Sequence, residues 1–158
     1  MTFKKYCCFT GHRELPPASS AAYLQLQADL QKAVTDAVAE GYNVFISGGA
    51  PGFDLLAAEE VLRQKVVRPD LSLRMMIPYA GQSARYGARD RARYEALLLQ
   101  ADEAHCLSET YTRDCMFRRN ERMVFHAERC IAYLRKGRGG TFMTVNMAQK
   151  KGIEVVLL

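Results

Sequence analysis

The sequence predicts the α/β class, with a mostly parallel sheet of about six strands and helices on both faces, in one domain spanning residues 1–158. Two observations carry this. Short apolar runs of strand length alternate with longer segments of helical periodicity along the whole chain. No internal repeat, linker or low-complexity tract interrupts the alternation. With 158 residues, 49% hydrophobic and 25% charged, the chain is long enough to bury a sizeable core.

Residues 5–10 form the first apolar run, stopped at Gly11. Pro16 and Pro17 mark the loop after it, and Ser19 or Ser20 is suited to cap the next helix. Over residues 21–40, Tyr23, Leu26, Leu30, Val34, Ala37 and Val38 recur at helical spacing, and Gly41 supplies the left-handed residue that ends such a helix. Residues 43–47 read as a second strand and 53–67 as a second helix. Pro69-Asp70 turns the chain into a third strand over 71–77, closed by Pro78. A polar loop with Gln82, Arg85 and Tyr86 precedes a helix over 88–100 and a strand over 103–107. A helix over 114–126, a strand over 129–134, a helix over 141–151 and a strand over 153–158 complete the order.

Composition excludes several classes. No apolar run approaches the roughly 20 residues that span a bilayer. The run near Met1 is too short for a signal peptide and leads into Gly11-His12-Arg13, so a cytoplasmic location is expected. The five cysteines show no CxxC spacing, which argues against zinc ribbons and disulfide frameworks. Cys7, Cys8, Cys106 and Cys130 fall in strands and are expected in the core; Cys115, near a helix start, is expected to pack inertly. The three histidines lack metal-ligand spacing, so no metal is expected. A net charge of +5 favours phosphorylated ligands or nucleic acid, modestly.

In open parallel sheets, ligands sit outside the carboxyl ends of the strands. Thr10-Gly11-His12-Arg13 follows the first strand, and Ser47-Gly48-Gly49-Ala50-Pro51-Gly52-Phe53-Asp54 follows the second. Pro78-Tyr79 and Gln82 follow the third, Ser108 and Tyr111 the fourth, and Gly137-Arg138-Gly139-Gly140-Thr141 the fifth. Two glycine turns that each open a helix therefore share one sheet edge. Backbone N–H groups at such turns and nearby arginines suit phosphates, and a lone carboxylate beside one suits a ribose hydroxyl. Neither turn is GxGxxG, and GxxxxGK[ST] is absent, so ordinary dinucleotide dehydrogenases and P-loop NTPases are disfavoured. No Ser-His-Asp set can be assembled by spacing.

Cys8-Phe9-Thr10-Gly11-His12-Arg13, residues 46–54, Arg119-Asn120 with Met123, and Gly139-Gly140-Thr141 together resemble the SLOG superfamily, and more narrowly its YpsA-like branch. The resemblance covers the chain from the first strand to the last helix. It implies a Rossmann-like three-layer α/β/α fold and a pocket for a nucleotide, ADP-ribose or NAD-related ligand, in a sensor or regulator with no certain cofactor. Relatives include DNA-processing protein A, which binds single-stranded DNA, and the "lonely guy" phosphoribohydrolases. Those hydrolases use a Met-x-x-Arg-Lys segment and the glutamate of a PGGxGTxxE loop. Here Met116-Phe117-Arg118-Arg119-Asn120 supplies the arginine, but Thr144 stands where the glutamate should be. Without that carboxylate, proton transfer or oxocarbenium stabilisation at the sugar loses its obvious agent. The branch usually has an aspartate after its Met-Val pair, where this chain has Met123-Val124-Phe125-His126.

The expected ligand-binding set is Thr10, Gly11, His12, Arg13, Ser47, Gly48, Gly49, Gly52, Asp54, Arg119, Asn120, Gly139, Gly140 and Thr141, with Asp54 the best acid/base candidate. His105, inside a strand, is expected to be a core or hydrogen-bonded histidine, and His126 to sit favourably at a helix end. Arg85, Arg89, Arg91 and Arg93 read as a solvated face paired with Asp90 and Glu95. A nucleotide-processing enzyme and a single-stranded nucleic-acid binder stand as rival readings, and homo-oligomerisation is left open.

Overall fold

The computed structural model describes residues 3–158; Met1 and Thr2, at the head of the segment weighed as a leader, lie outside the described residues. The elements are β1 (Tyr6–Gly11), α1 (Ala21–Ala39), β2 (Val44–Ser47), α2 (Phe53–Lys65), β3 (Ser72–Ile77), α3 (Ala88–Gln100), β4 (Glu103–Cys106), α4 (Cys115–His126), β5 (Arg129–Tyr133), α5 (Gly140–Lys151) and β6 (Glu154–Leu157). The polar loop before α3 contains a short 3₁₀ turn, Gln82–Arg85. Ser20 caps α1, its Oγ accepting from the Tyr23 N–H at 3.1 Å.

The sheet has six strands in the order β4-β3-β2-β1-β5-β6, and every pairing is parallel. This is the expected Rossmann-like three-layer arrangement. The chain steps outward from β1 through β4, then returns by α4 to place β5 on the other side of β1. Strand order therefore reverses between β1 and β5, and a crevice opens at their carboxyl ends.

Alternation along β1 divides the core. Cys7 and Phe9 face one layer with Phe45, Phe53, Leu73 and Met75, covered by α1, α2 and α3. Cys8 faces the other with Ile46, Met76, Met123, Cys130 and Val145, covered by α4 and α5. Burying a side chain such as Phe45 or Ile131 completely removes enough apolar surface to contribute about 1.5–3 kcal/mol. At the amino edge, buried Arg129 holds Glu40 and Glu154 at 2.7 Å each and lies over the Tyr42 ring. That contact ties the end of α1 to β5 and β6. Among the described residues, no helix is long and apolar enough to cross a membrane.

Two expectations are corrected. Cys106 is exposed because β4 is an edge strand, open along its length. His105, exposed on the same strand and 3.0 Å from Glu103, meets the hydrogen-bonded alternative of its expectation and not the core one. Arg93 pairs with Glu59 at 2.5 Å and Asp90 at 3.1 Å, not with Glu95, because α3 packs against α2. Cys7, Cys8, Cys115 and Cys130 are buried as expected.

Candidate functional site

The turn from β2 to α2 is fixed from behind by side chains that hold its carbonyl groups. Arg119 Nη1 and Gln82 Nε2 both donate to the Gly48 carbonyl, at 2.8 and 3.1 Å. The Tyr86 hydroxyl donates to the Gly49 carbonyl at 3.0 Å. Ser47 Oγ accepts from the Gly49 N–H at 3.2 Å and donates to the Asp54 carbonyl at 2.9 Å. Gly52 is required twice over. Its φ is +84°, and a Cβ there would lie 2.3 Å from the Arg13 carbonyl oxygen. The Phe53 N–H bonds the His12 carbonyl at 3.1 Å, so the loops after β1 and β2 are joined.

Two buried charges flank this turn. Arg119 is only 5% exposed and Asp54 7%. A Cβ on Gly48 would lie 2.5 Å from Arg119 Nη1 and 2.9 Å from Asp54 Oδ2, so this glycine lets both approach. Arg119 Nε also donates to Asn120 Oδ1 at 2.7 Å. Asp54 Oδ2 accepts from the Ala50 N–H at 3.3 Å. Burial pushes the Asp54 carboxyl up to about 6, against the lowering pull of Arg119, the Ala50 N–H and Arg13. Burial also lowers the Arg119 guanidinium, partly offset by Asp54, but an arginine stays charged.

A cleft of about 260 Å³ opens above these groups at the β1/β5 crevice. It brings together Thr10, Gly11, His12, Arg13, Asp54, Arg119, Asn120, Gly140 and Thr141 from the expected set. Thr10 and Thr141 are buried, yet their hydroxyls have no protein partner among the described residues. Gly139, with φ +92°, begins α5 without a side-chain cap, leaving its opening N–H groups available at the cleft. Ser47, Gly48, Gly49 and Gly52 do not line the cleft; they form the braced turn that carries Asp54.

Other features fall outside it. Thr144 is buried, and its Oγ1 donates to the Gly140 carbonyl at 2.8 Å, inside the helix. Phe125 and His126 end α4 at the opposite edge of the sheet, so the departure from the family aspartate lies away from the cleft. A larger cleft, about 600 Å³, lies between α1, α2 and α3, but its Glu59–Arg93 and Glu60–Arg63 pairs satisfy one another. Among the described residues, no group of three or more His, Cys, Asp or Glu could hold a metal ion.

Sequence reasoning missed the braces. Gln82 stands out in the sequence only as a polar residue after the third strand and Tyr86 only as part of a polar loop, while nothing there singles out Tyr94, which accepts from Gln82 at 3.1 Å. Met116 lines the cleft one turn before Arg119. Tyr133, Arg135 and Lys136 adjoin it; their position just after β5 was the available signal.

A family model for the YspA SLOG family matches residues 7–154. A UPF0398 protein of Bacillus cereus strain G9842 is 29% identical over 126 residues, covering 78% of this chain and 68% of its own. A UPF0398 protein of Bacillus pumilus is 30% identical over 77 residues, 49% of this chain and 41% of its own. DNA processing protein A from Streptococcus pneumoniae superposes with a TM-score of 0.69 at 19% identity, over 98% of this chain and 50% of that one. The same protein from Helicobacter pylori, whose structure concerns single-stranded DNA binding, gives 0.67 at 16% identity, over 97% of this chain and 64% of that one. This chain thus spans half to two thirds of those proteins, and at such identity the likeness concerns the fold.

Proposed function

The chain belongs to the YspA SLOG family, and from that premise we propose that it binds a nucleotide-derived ligand in the β1/β5 cleft and serves as a sensor or regulator. One observation carries the reading. Buried Arg119 and Asp54 converge with the unpartnered hydroxyls of Thr10 and Thr141 where the strand order reverses. In this reading the phosphate lies at the opening N–H groups of α5, near Arg119 and Arg13. Asp54 and Asn120 address ribose hydroxyls. Two charged side chains buried beside hydroxyls of the cleft lining are an expensive arrangement for a merely structural turn, because taking charges out of water costs free energy.

Thermal unfolding against AMP, ADP, NAD and ADP-ribose tests this. A ligand at about 100 times its Kd stabilises by roughly 2.7 kcal/mol, a rise of about 5–10 °C for a chain of this size. Asp54→Ala should abolish the rise. No stabilisation of the wild-type protein by any of the four overturns the reading. Conversion of a stabilising ligand into product would instead make the protein an enzyme, with Asp54 as acid or base; a carboxyl near 6 suits that work.

A second reading, single-stranded DNA binding, is supported by the basic rim of Arg13, Arg135 and Lys136 beside the cleft, with the structural neighbour from Helicobacter pylori as analogy. It requires oligonucleotide affinity that falls steeply with salt.

A further inference from the structure

Beside the cleft lies a second concavity of about 300 Å³, lined by His12, Arg13, Glu14, Tyr133, Arg135 and Lys136. It shares His12 and Arg13 with the first, so the two compartments adjoin along these residues. Its walls are held in place. His12 Nε2 accepts from the Arg135 backbone N–H at 2.7 Å, which ties the loop after β1 to the loop after β5. Accepting there leaves the His12 ring neutral with its proton on Nδ1, and burial with Lys136 and Arg135 nearby lowers its pKa in the same sense. The Arg135 side chain lies over the Tyr133 ring at 4.5 Å and donates to the Leu158 carbonyl at 2.8 Å. Arg13 and Lys136 have no ion pair or hydrogen bond among the described residues, and Glu14 is the one acid in the lining against three cations.

The two compartments differ in kind. The inner one offers hydroxyls, a carboxyl and helix N–H groups around a single buried guanidinium. The outer one sets three exposed cations against a single carboxylate, Glu14. Such a surface discriminates by charge, not by hydrogen-bond pattern.

We propose that the outer compartment is a second anion subsite and that the ligand carries two phosphoryl groups in series, one in each compartment, as a nucleoside diphosphate does. The proposal rests on the reading of the inner cleft as a nucleotide site. Arg13, common to both compartments, lies between the two phosphoryl groups, and Lys136 serves the outer one alone.

The test compares ADP with AMP by titration calorimetry on the wild-type protein, Lys136→Glu, and Lys150→Glu as a control of equal charge change on exposed surface near the end of α5. Wild-type protein should bind ADP about tenfold more tightly than AMP, the worth of one charge-assisted contact. Lys136→Glu should remove that preference and leave AMP affinity within about twofold, whereas Lys150→Glu should keep the preference. Equal affinity of the wild-type protein for ADP and AMP overturns the outer subsite and leaves the inner site standing. A preference that survives Lys136→Glu overturns it also. Binding of neither nucleotide overturns this proposal, and the cleft reading falls with it only if NAD and ADP-ribose also fail to stabilise the protein. Binding of an oligothymidylate without any preference for ADP over AMP assigns the cations to nucleic acid and overturns the proposal.

Discussion

Burial of the Asp54 carboxyl sets a pH dependence whose sign can be worked out. Its pKa in the folded protein is about 6, above the unfolded 3.8, so folding favours the protonated form. The stability this confers is fully present below pH 4 and is lost as pH rises through 6. A shift of that size corresponds to about 3 kcal/mol at most. Asp54→Asn stays neutral throughout and keeps an acceptor for the Ala50 N–H. The stability of Asp54→Asn relative to wild type should therefore increase by roughly 2–3 kcal/mol between pH 4 and pH 7.5, measured by urea denaturation. A difference that does not change with pH would show that the carboxyl is not shifted. Asp54 as a candidate was legible in the sequence, since it follows a glycine turn. Its shift was not, because it comes from burial by tertiary packing, against the lowering pull of Arg119 on a helix distant in sequence.

At the level of elements, the glycine turn between β2 and α2 is a braced support, and only the turn opening α5 faces the cleft with free N–H groups. The two glycine turns looked alike in sequence. They separate in space because Gln82, Tyr86 and Arg119 reach the first and nothing caps the second. Gly52→Ala should strain the backbone and push a methyl group into the loop after β1, lowering stability by about 2–4 kcal/mol and weakening any ligand bound there. Gly137→Ala, where a Cβ meets nothing within 4 Å, should change stability by less than about 0.5 kcal/mol. Equal loss in both variants, read from thermal melts, would contradict the close approach at Gly52.

The whole molecule divides its labour between the two edges of one sheet. The carboxyl edge holds the cleft, and the amino edge is stapled by Arg129 to Glu40 and Glu154. Arg129→Met should lower stability by about 2 kcal/mol, since charge-assisted hydrogen bonds are lost. The freed glutamates are more than half exposed, 56% each, and rehydrate, which limits the damage. Nucleotide-induced stabilisation should be unchanged in this variant, because the staple lies at the far end of the strands. Loss of the ligand response in Arg129→Met would mean that the two edges are coupled.

Local pattern alone determined the alternation of strands and helices, the parallel sheet and the edge on which the cleft opens. Periodicity and glycine placement are local signals, and the rule that crevices form at carboxyl ends converts them into a location. The resemblance of residues 46–54 and Arg119-Asn120 to one superfamily supplied the candidate set. Tertiary structure alone decided which candidates meet. It placed β5 beside β1, buried Arg119 against Gly48, sent Thr144 back onto its own helix, and exposed Cys106 and His105 on an edge strand. Those outcomes depend on strand order and on contacts between residues far apart in the chain, which a sequence read locally does not encode.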